Sequence, residues 1–148
     1  MSDFDNGDSD NAGLGAILAN AQAAVAELAD QYIGWVKEDM VRLEAAIAPI
    51  TDSAGSADAV RLRAVYDVAH DIKGQGSTFG YPLVTEIANL LCRYTEAATK
   101  QAKTDRSVID AHVTALHTVI NNRVQGDAGE LGREILEALR AAAAKSLA

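Results

Sequence analysis

Leu62-Arg63-Ala64-Val65-Tyr66-Asp67-Val68-Ala69-His70-Asp71-Ile72-Lys73-Gly74-Gln75-Gly76-Ser77-Thr78-Phe79-Gly80 is the stretch whose spacing organises the chain. Leu62, Val65, Ala69 and Ile72 recur three and four apart, which is the stripe of an amphipathic helix. At about 100° per residue, His70 falls roughly 100° from Ala69 and roughly 140° from Val65, so it points to solvent. Lys73, Gly74 and Ser77 follow at i+3, i+4 and i+7 on the same exposed face. Gly80 suits the position just past the helix end, where a left-handed residue is cheapest as glycine. Pro82 suits the first position of the next helix, where a missing N–H costs nothing.

Working outward, the same period appears on both sides. Upstream, Leu14, Ile17, Leu18, Ala21, Val25 and Leu28 form one stripe, and Ile33, Val36, Met40, Leu43 and Ile47 another. These make one long helix or two with a bend near Gly34. Pro49 and the segment Thr51-Asp52-Ser53-Ala54-Gly55-Ser56 break the pattern, and the His70 helix restarts near Ala57 or Asp58 to run to about Phe79. Downstream, Leu83, Ile87, Leu90, Leu91 and Tyr94 mark a third element. Thr104 or Asp105 caps a fourth with Val108, Ile109, Val113, Leu116, Ile120 and Val124. Gly126-Asp127-Ala128-Gly129 precedes a last helix with Leu131, Ile135, Leu136 and Leu139. Short connections place neighbours antiparallel. The expectation is an all-α, antiparallel up-and-down four-helix bundle with additional N- and C-terminal helical segments. Residues 1–12 read as a disordered acidic tail and 13–148 as the bundle domain. Residues 14–28 and the last helix either pack on the bundle or mediate a dimer.

Composition agrees. The 148 residues are Ala- and Leu-rich with two prolines, which favours helix over strand. The net charge of −8 disfavours a nucleic-acid surface or an anionic membrane. No unbroken apolar run approaches the ~20 residues of a membrane span. The N-terminus lacks the basic and apolar regions of a signal peptide. A single cysteine, Cys92, forms no internal disulfide and fits a reducing, cytoplasmic compartment. It follows an apolar pair and reads as packed and inert. His112 and His117 are five apart, about 140° around a helix, so they do not share a metal. Trp35 reads as core edge, with a partner-facing anchor as the alternative.

An exposed imidazole, with an ordinary pKa of about 6.5, keeps a free ring nitrogen at neutral pH and can act as a nucleophile. A lysine one turn along offsets the charge of an incoming phosphoryl group. A glycine at +4 leaves that face open to a partner. The run Ala69–Gly80 resembles the signature of histidine-containing phosphotransfer (HPt) domains: histidine, aliphatic at +2, lysine at +3, glycine at +4, a small residue near +6 or +7, and glycine at +10. The Gln75-Gly76 pair departs from the serines or alanines of many members, leaving Ser77 or Thr78 to supply a hydroxyl.

The resemblance implies a phosphorelay intermediary. It takes a phosphoryl group onto His70 from a receiver-domain aspartate and passes it to another response-regulator receiver. Lys73, Gly74 and Ser77 form the phosphoryl environment. Tyr66, at i−4 from His70, lines the docking surface with Asp71, Gln75, Gly76, Thr78 and Gly80, and Arg61 and Arg63 lie on the same outer side. It implies no cofactor or metal of its own, with Mg²⁺ and the acceptor aspartate on the receiver. Expected partners are receiver domains and an upstream hybrid or sensor histidine kinase. No P-loop or ATP-binding domain is legible, so the chain reads as a carrier rather than a kinase. The alternative is a helical interaction module, or degenerate HPt domain, that binds receivers without chemistry.

Overall fold

The computed structural model describes residues 2–51 and 58–148, and side chains from residue 11 onward. Among the described residues there is no strand. The elements are α1 (Ser2–Ile47), α2 (Ala59–Gly76), a 3₁₀ turn (Ser77–Phe79), α3 (Pro82–Gln101), α4 (Arg106–Asn121) and α5 (Gly129–Leu147). α2 packs on α1 and α3, α4 packs on α1 and α3, and α5 lies against α3 and α4.

Local chemistry sets these boundaries. The Asp58 carboxylate accepts the Arg61 N–H at 3.3 Å and opens α2. Asp105 does the same for α4 through the Ser107 N–H at 2.9 Å. Pro82 occupies the first turn of α3. Gly80 closes the 3₁₀ turn with φ of 88°, as its position predicts. The expected break between α1 and α2 falls largely on 52–57, including Ala57, outside the described residues.

The core is built from the predicted stripes of α2, α3 and α4 and from the second stripe of α1, with Leu43, Val65, Leu83, Ile87, Leu91, Ile109 and Leu116 fully enclosed. α1 is one continuous helix through Gly34, the first of the two expected alternatives, and its backbone is helical from Ser2, through the residues expected as a loose acidic tail. The first stripe of α1 is exposed: Leu14, Ile17, Leu18, Val25 and Leu28 all face solvent. Leu131 is also exposed, and α5 seats Gly132, Leu136 and Leu139 instead. By length and composition, a window of α1 within Asn11–Ile47 is apolar enough to cross a membrane, although Asn20 and Gln22 interrupt it.

The three histidines occupy different environments. His112 is fully buried on α4, with Nδ1 2.7 Å from the Val108 carbonyl and its ring stacked on Tyr94. That geometry makes Nδ1–H the donor and leaves Nε2 enclosed without a partner. Burial lowers the His112 pKa, against a smaller opposing effect from the Val108 carbonyl. The unfolded chain therefore binds a proton, below about pH 6.5, that the folded chain resists. Stability should fall as pH drops through 6.5 toward 5.5. Thermal melts of wild type and His112→Phe across that range check this: the variant should show the shallower dependence.

Candidate functional site

His70 sits on the outer side of α2, two turns before its end, because Ala69 and Ile72 commit the opposite side to the core. Its imidazole is exposed, and neither ring nitrogen has a partner among the described residues. His117, by contrast, holds Glu44 at 2.6 Å through Nε2. Among the three histidines, only His70 combines exposure with uncommitted nitrogens.

One ring face of His70 stacks on Tyr66, with centroids 5.8 Å apart and planes 25° from parallel. The Arg63 guanidinium lies over the Tyr66 ring, 5.0 Å from its centroid. This i, i+3, i+7 column orients the imidazole along α2 without using its nitrogens. The other side of His70 opens on a shallow groove of about 400 Å³, lined by Asp39 and Arg42 of α1 and by His70, Asp71, Gly74 and Gln75 of α2. Arg42 holds Asp39 at 3.2 Å and reaches Asp71 at 3.5 Å. All three are solvent-accessible, so these pairs add little stability. Their consequence is a guanidinium held at the rim of the imidazole groove. Arg42 and Asp39 were not legible beforehand because they arrive from another helix. The available signal was their place beside the core positions Met40 and Leu43.

The remaining expected site residues separate. Gly74 is exposed, and a Cβ there would meet nothing within 4 Å, so the approach to His70 is open. Lys73 is half-buried, and its ammonium makes no hydrogen bond or ion pair among the described residues. It lies near enough to Cys92 for its charge to oppose the burial that pushes that thiol up to about 11. Cys92 is thus protonated and enclosed, as a packed cysteine should be.

Gly76 does not belong to a docking surface. It is buried, because it lies four residues after Ile72 on the inward stripe. A Cβ there would come within 2.5 Å of Thr85 Oγ1 and 2.8 Å of the Tyr81 carbonyl oxygen. Thr85, missed from sequence, clasps the end of α2: its hydroxyl donates to the Lys73 carbonyl at 3.0 Å and accepts the Ser77 N–H at 2.8 Å. Ser77 and Thr78 do not line the His70 groove. They line a second depression with Phe79, Gly80, Gln125 and the exposed part of α1. Gly80 is exposed, and its left-handed φ gives it a turn-forming role. Phe79 anchors that turn by stacking on Tyr32 at 5.2 Å and meeting Trp35 edge-on at 5.7 Å, so Trp35 is a partly exposed edge of this aromatic cluster.

A family model, that of the Hpt domain, matches residues 27–146. The chain belongs to the Hpt domain family. Its members are histidine phosphotransfer carriers of phosphorelays, and the all-helical fold here is consistent with theirs. No curated protein and no solved structure matches the chain. The match begins at residue 27, so the exposed first stripe of α1 lies almost wholly outside it.

Proposed function

We propose that this Hpt protein is a phosphorelay intermediary that carries its phosphoryl group on His70, accepting it from one receiver-domain aspartate and passing it to another. The observation that carries the reading is the exposed imidazole with both nitrogens free, set between Tyr66 and an open groove. A ring nitrogen lone pair attacks the phosphorus of the aspartyl phosphate. The new N–P bond forms as the P–O bond breaks, and the aspartate leaves as a carboxylate. No general base is needed to form that bond, because a neutral imidazole presents a lone pair directly. Catalysis then consists of positioning and charge stabilisation. Lys73 and Arg42 supply positive charge from this chain, and Mg²⁺ belongs to the receiver.

The fold suits the role in these terms. Helices α1 to α4 form an antiparallel four-helix bundle that presents the outer face of α2, and α5 buttresses α3 and α4. Partners are receiver domains and an upstream hybrid or sensor histidine kinase. The setting is cytoplasmic, and the chain is a carrier without its own ATP chemistry. The test is transfer from a phosphorylated receiver with Mg²⁺ present. The expected product is acid-labile label on this chain. A receiver that binds tightly while transferring nothing would instead support a binding module.

Gly74→Ala separates approach from folding. The added methyl contacts nothing among the described residues and removes a mid-helix glycine, so stability should rise by about 0.5–1 kcal/mol. Transfer should fall, because the methyl stands one turn from His70 where the receiver must approach. Melting and single-turnover transfer, measured on the same preparation, should therefore move in opposite directions.

A further inference from the structure

The exposed first stripe of α1 has a more specific pattern than general amphipathicity. Leu14, Leu18, Ala21, Val25 and Leu28 alternate spacings of four and three, and Tyr32 continues the series into the core. That is a 3.5-residue seam, the repeat of a two-helix coiled coil rather than of a broad core-facing helix face. Four of the seam's leucines and valines are between 44 and 66% exposed. The seam's inner side meets the bundle at a corner of about 630 Å³, where Leu18, Ala21 and Val25 face Thr78, Phe79 and Gln125.

We infer that this seam is a self-association surface, and that its occupant is the same segment of a second copy, running antiparallel. Charge is the first argument. Residues 11–26 carry no charged side chain, although the chain as a whole carries −8. Self-repulsion is therefore kept off this one surface. The positions flanking the seam, Gly15, Ile17, Gln22, Ala24, Ala29 and Gln31, are also uncharged, so nothing there opposes an identical helix.

Side-chain size is the second argument. An antiparallel two-fold centred between Ala19 and Asn20 sets Leu14 opposite Val25 and Leu18 opposite Ala21. These two layers each match a larger with a smaller side chain, Leu28 falls opposite Asn11 at the seam's end, and the patch complements itself, as an isologous dimer requires. The same arrangement puts the N-termini of the two copies at opposite ends of the pair. A parallel pairing sets those termini, and the two acidic bundles, side by side. A lipid bilayer is the competing occupant, since a window of this helix is long and apolar enough to span one; the self-complementary seam favours a second copy, and the test below separates the two.

The test is sedimentation equilibrium of the full chain from low micromolar to several hundred micromolar. Wild type should pass from monomer to dimer within that range. Leu18→Glu should remain monomeric, with unchanged helicity and unchanged phosphoryl acceptance. Orientation is read by oxidation. Leu14→Cys combined with Val25→Cys should give a disulfide dimer. Leu14→Cys alone should not, since the two copies of position 14 lie about 16 Å apart along the pair. Native Cys92 is buried and does not compete. A wild type monomeric throughout overturns the inference. So does a monomer that floats with phospholipid vesicles, or a single-cysteine variant that crosslinks as readily as the pair.

Discussion

His70→Gln should reduce phosphoryl acceptance to background while leaving the bundle folded. Glutamine keeps a polar, helix-compatible side chain at an exposed position, so the change in stability should stay within about 0.5 kcal/mol. It removes the ring lone pair, and an amide nitrogen is not a nucleophile at neutral pH. No other histidine is placed to take over. His112 is enclosed on α4, and the free nitrogen it retains is buried. His117 has Nε2 committed to Glu44. The nearest serine and threonine hydroxyls in sequence, Ser77 and Thr78, line a separate depression. Single-turnover transfer from a phosphorylated receiver, with acid treatment of the product, checks the prediction. Residual acid-labile label on the variant would place the chemistry on another histidine. Acid-stable label would place it on a hydroxyl. Loss of label with an unchanged melting curve is the expected result. Coincident loss of fold would leave the folded state, not the nucleophile, as the cause.

That prediction rests on residues that could be read in advance, and the reason is geometric. Within one helix, spacing fixes facing, so the stripe of Leu62, Val65, Ala69 and Ile72 placed His70 outward without knowledge of any other element. End signals were equally local: Pro82, Gly80 and Asp105 each sit where their backbone or side-chain chemistry requires. What was not legible depends on a second element. The two halves of α1 carry similar stripes, yet 33–47 meets α2 and α4 while 14–28 meets solvent. A stripe reports a face suited to burial and not whether the same chain supplies the cover. Arg42 reaches the groove from α1, and Thr85 clasps α2 from α3, so neither has a signature within the motif. Ser77 and Thr78 line a depression completed by Gln125 and by α1, elements that no spacing within the motif could place. Gly76 is the instructive case. Its spacing from Ile72 marked it as inward, but its place in a glycine-containing signature drew it to the surface.

Gly76→Ala should destabilise the fold by about 2–4 kcal/mol, the opposite sign from the same substitution two residues earlier. Helix propensity alone would favour alanine at either position by up to about 1 kcal/mol. At Gly76 the new methyl meets Thr85 Oγ1 at 2.5 Å, the Tyr81 carbonyl oxygen at 2.8 Å and the Thr85 amide nitrogen at 2.9 Å. Two of these are backbone atoms in the first turn of α3 and have no rotamer to yield. Relief must come from moving α3 off α2, which overpacking data put at roughly 1–3 kcal/mol or more. The same movement strains the Tyr81 N–H bond to the Gly76 carbonyl at 2.8 Å and both hydrogen bonds of the Thr85 hydroxyl. Each is worth about 1 kcal/mol. For a chain of this length the melting temperature should drop by roughly 5–15 °C. A second variant separates the causes. Thr85→Ala in the Gly76→Ala background removes the closest contact but leaves both backbone atoms in place, so it should recover little. Full recovery would mean that the hydroxyl alone resists the methyl and that the two helix backbones are not in close contact there. An unchanged or raised melting temperature in the single variant would mean that the α2–α3 junction is looser than its geometry requires.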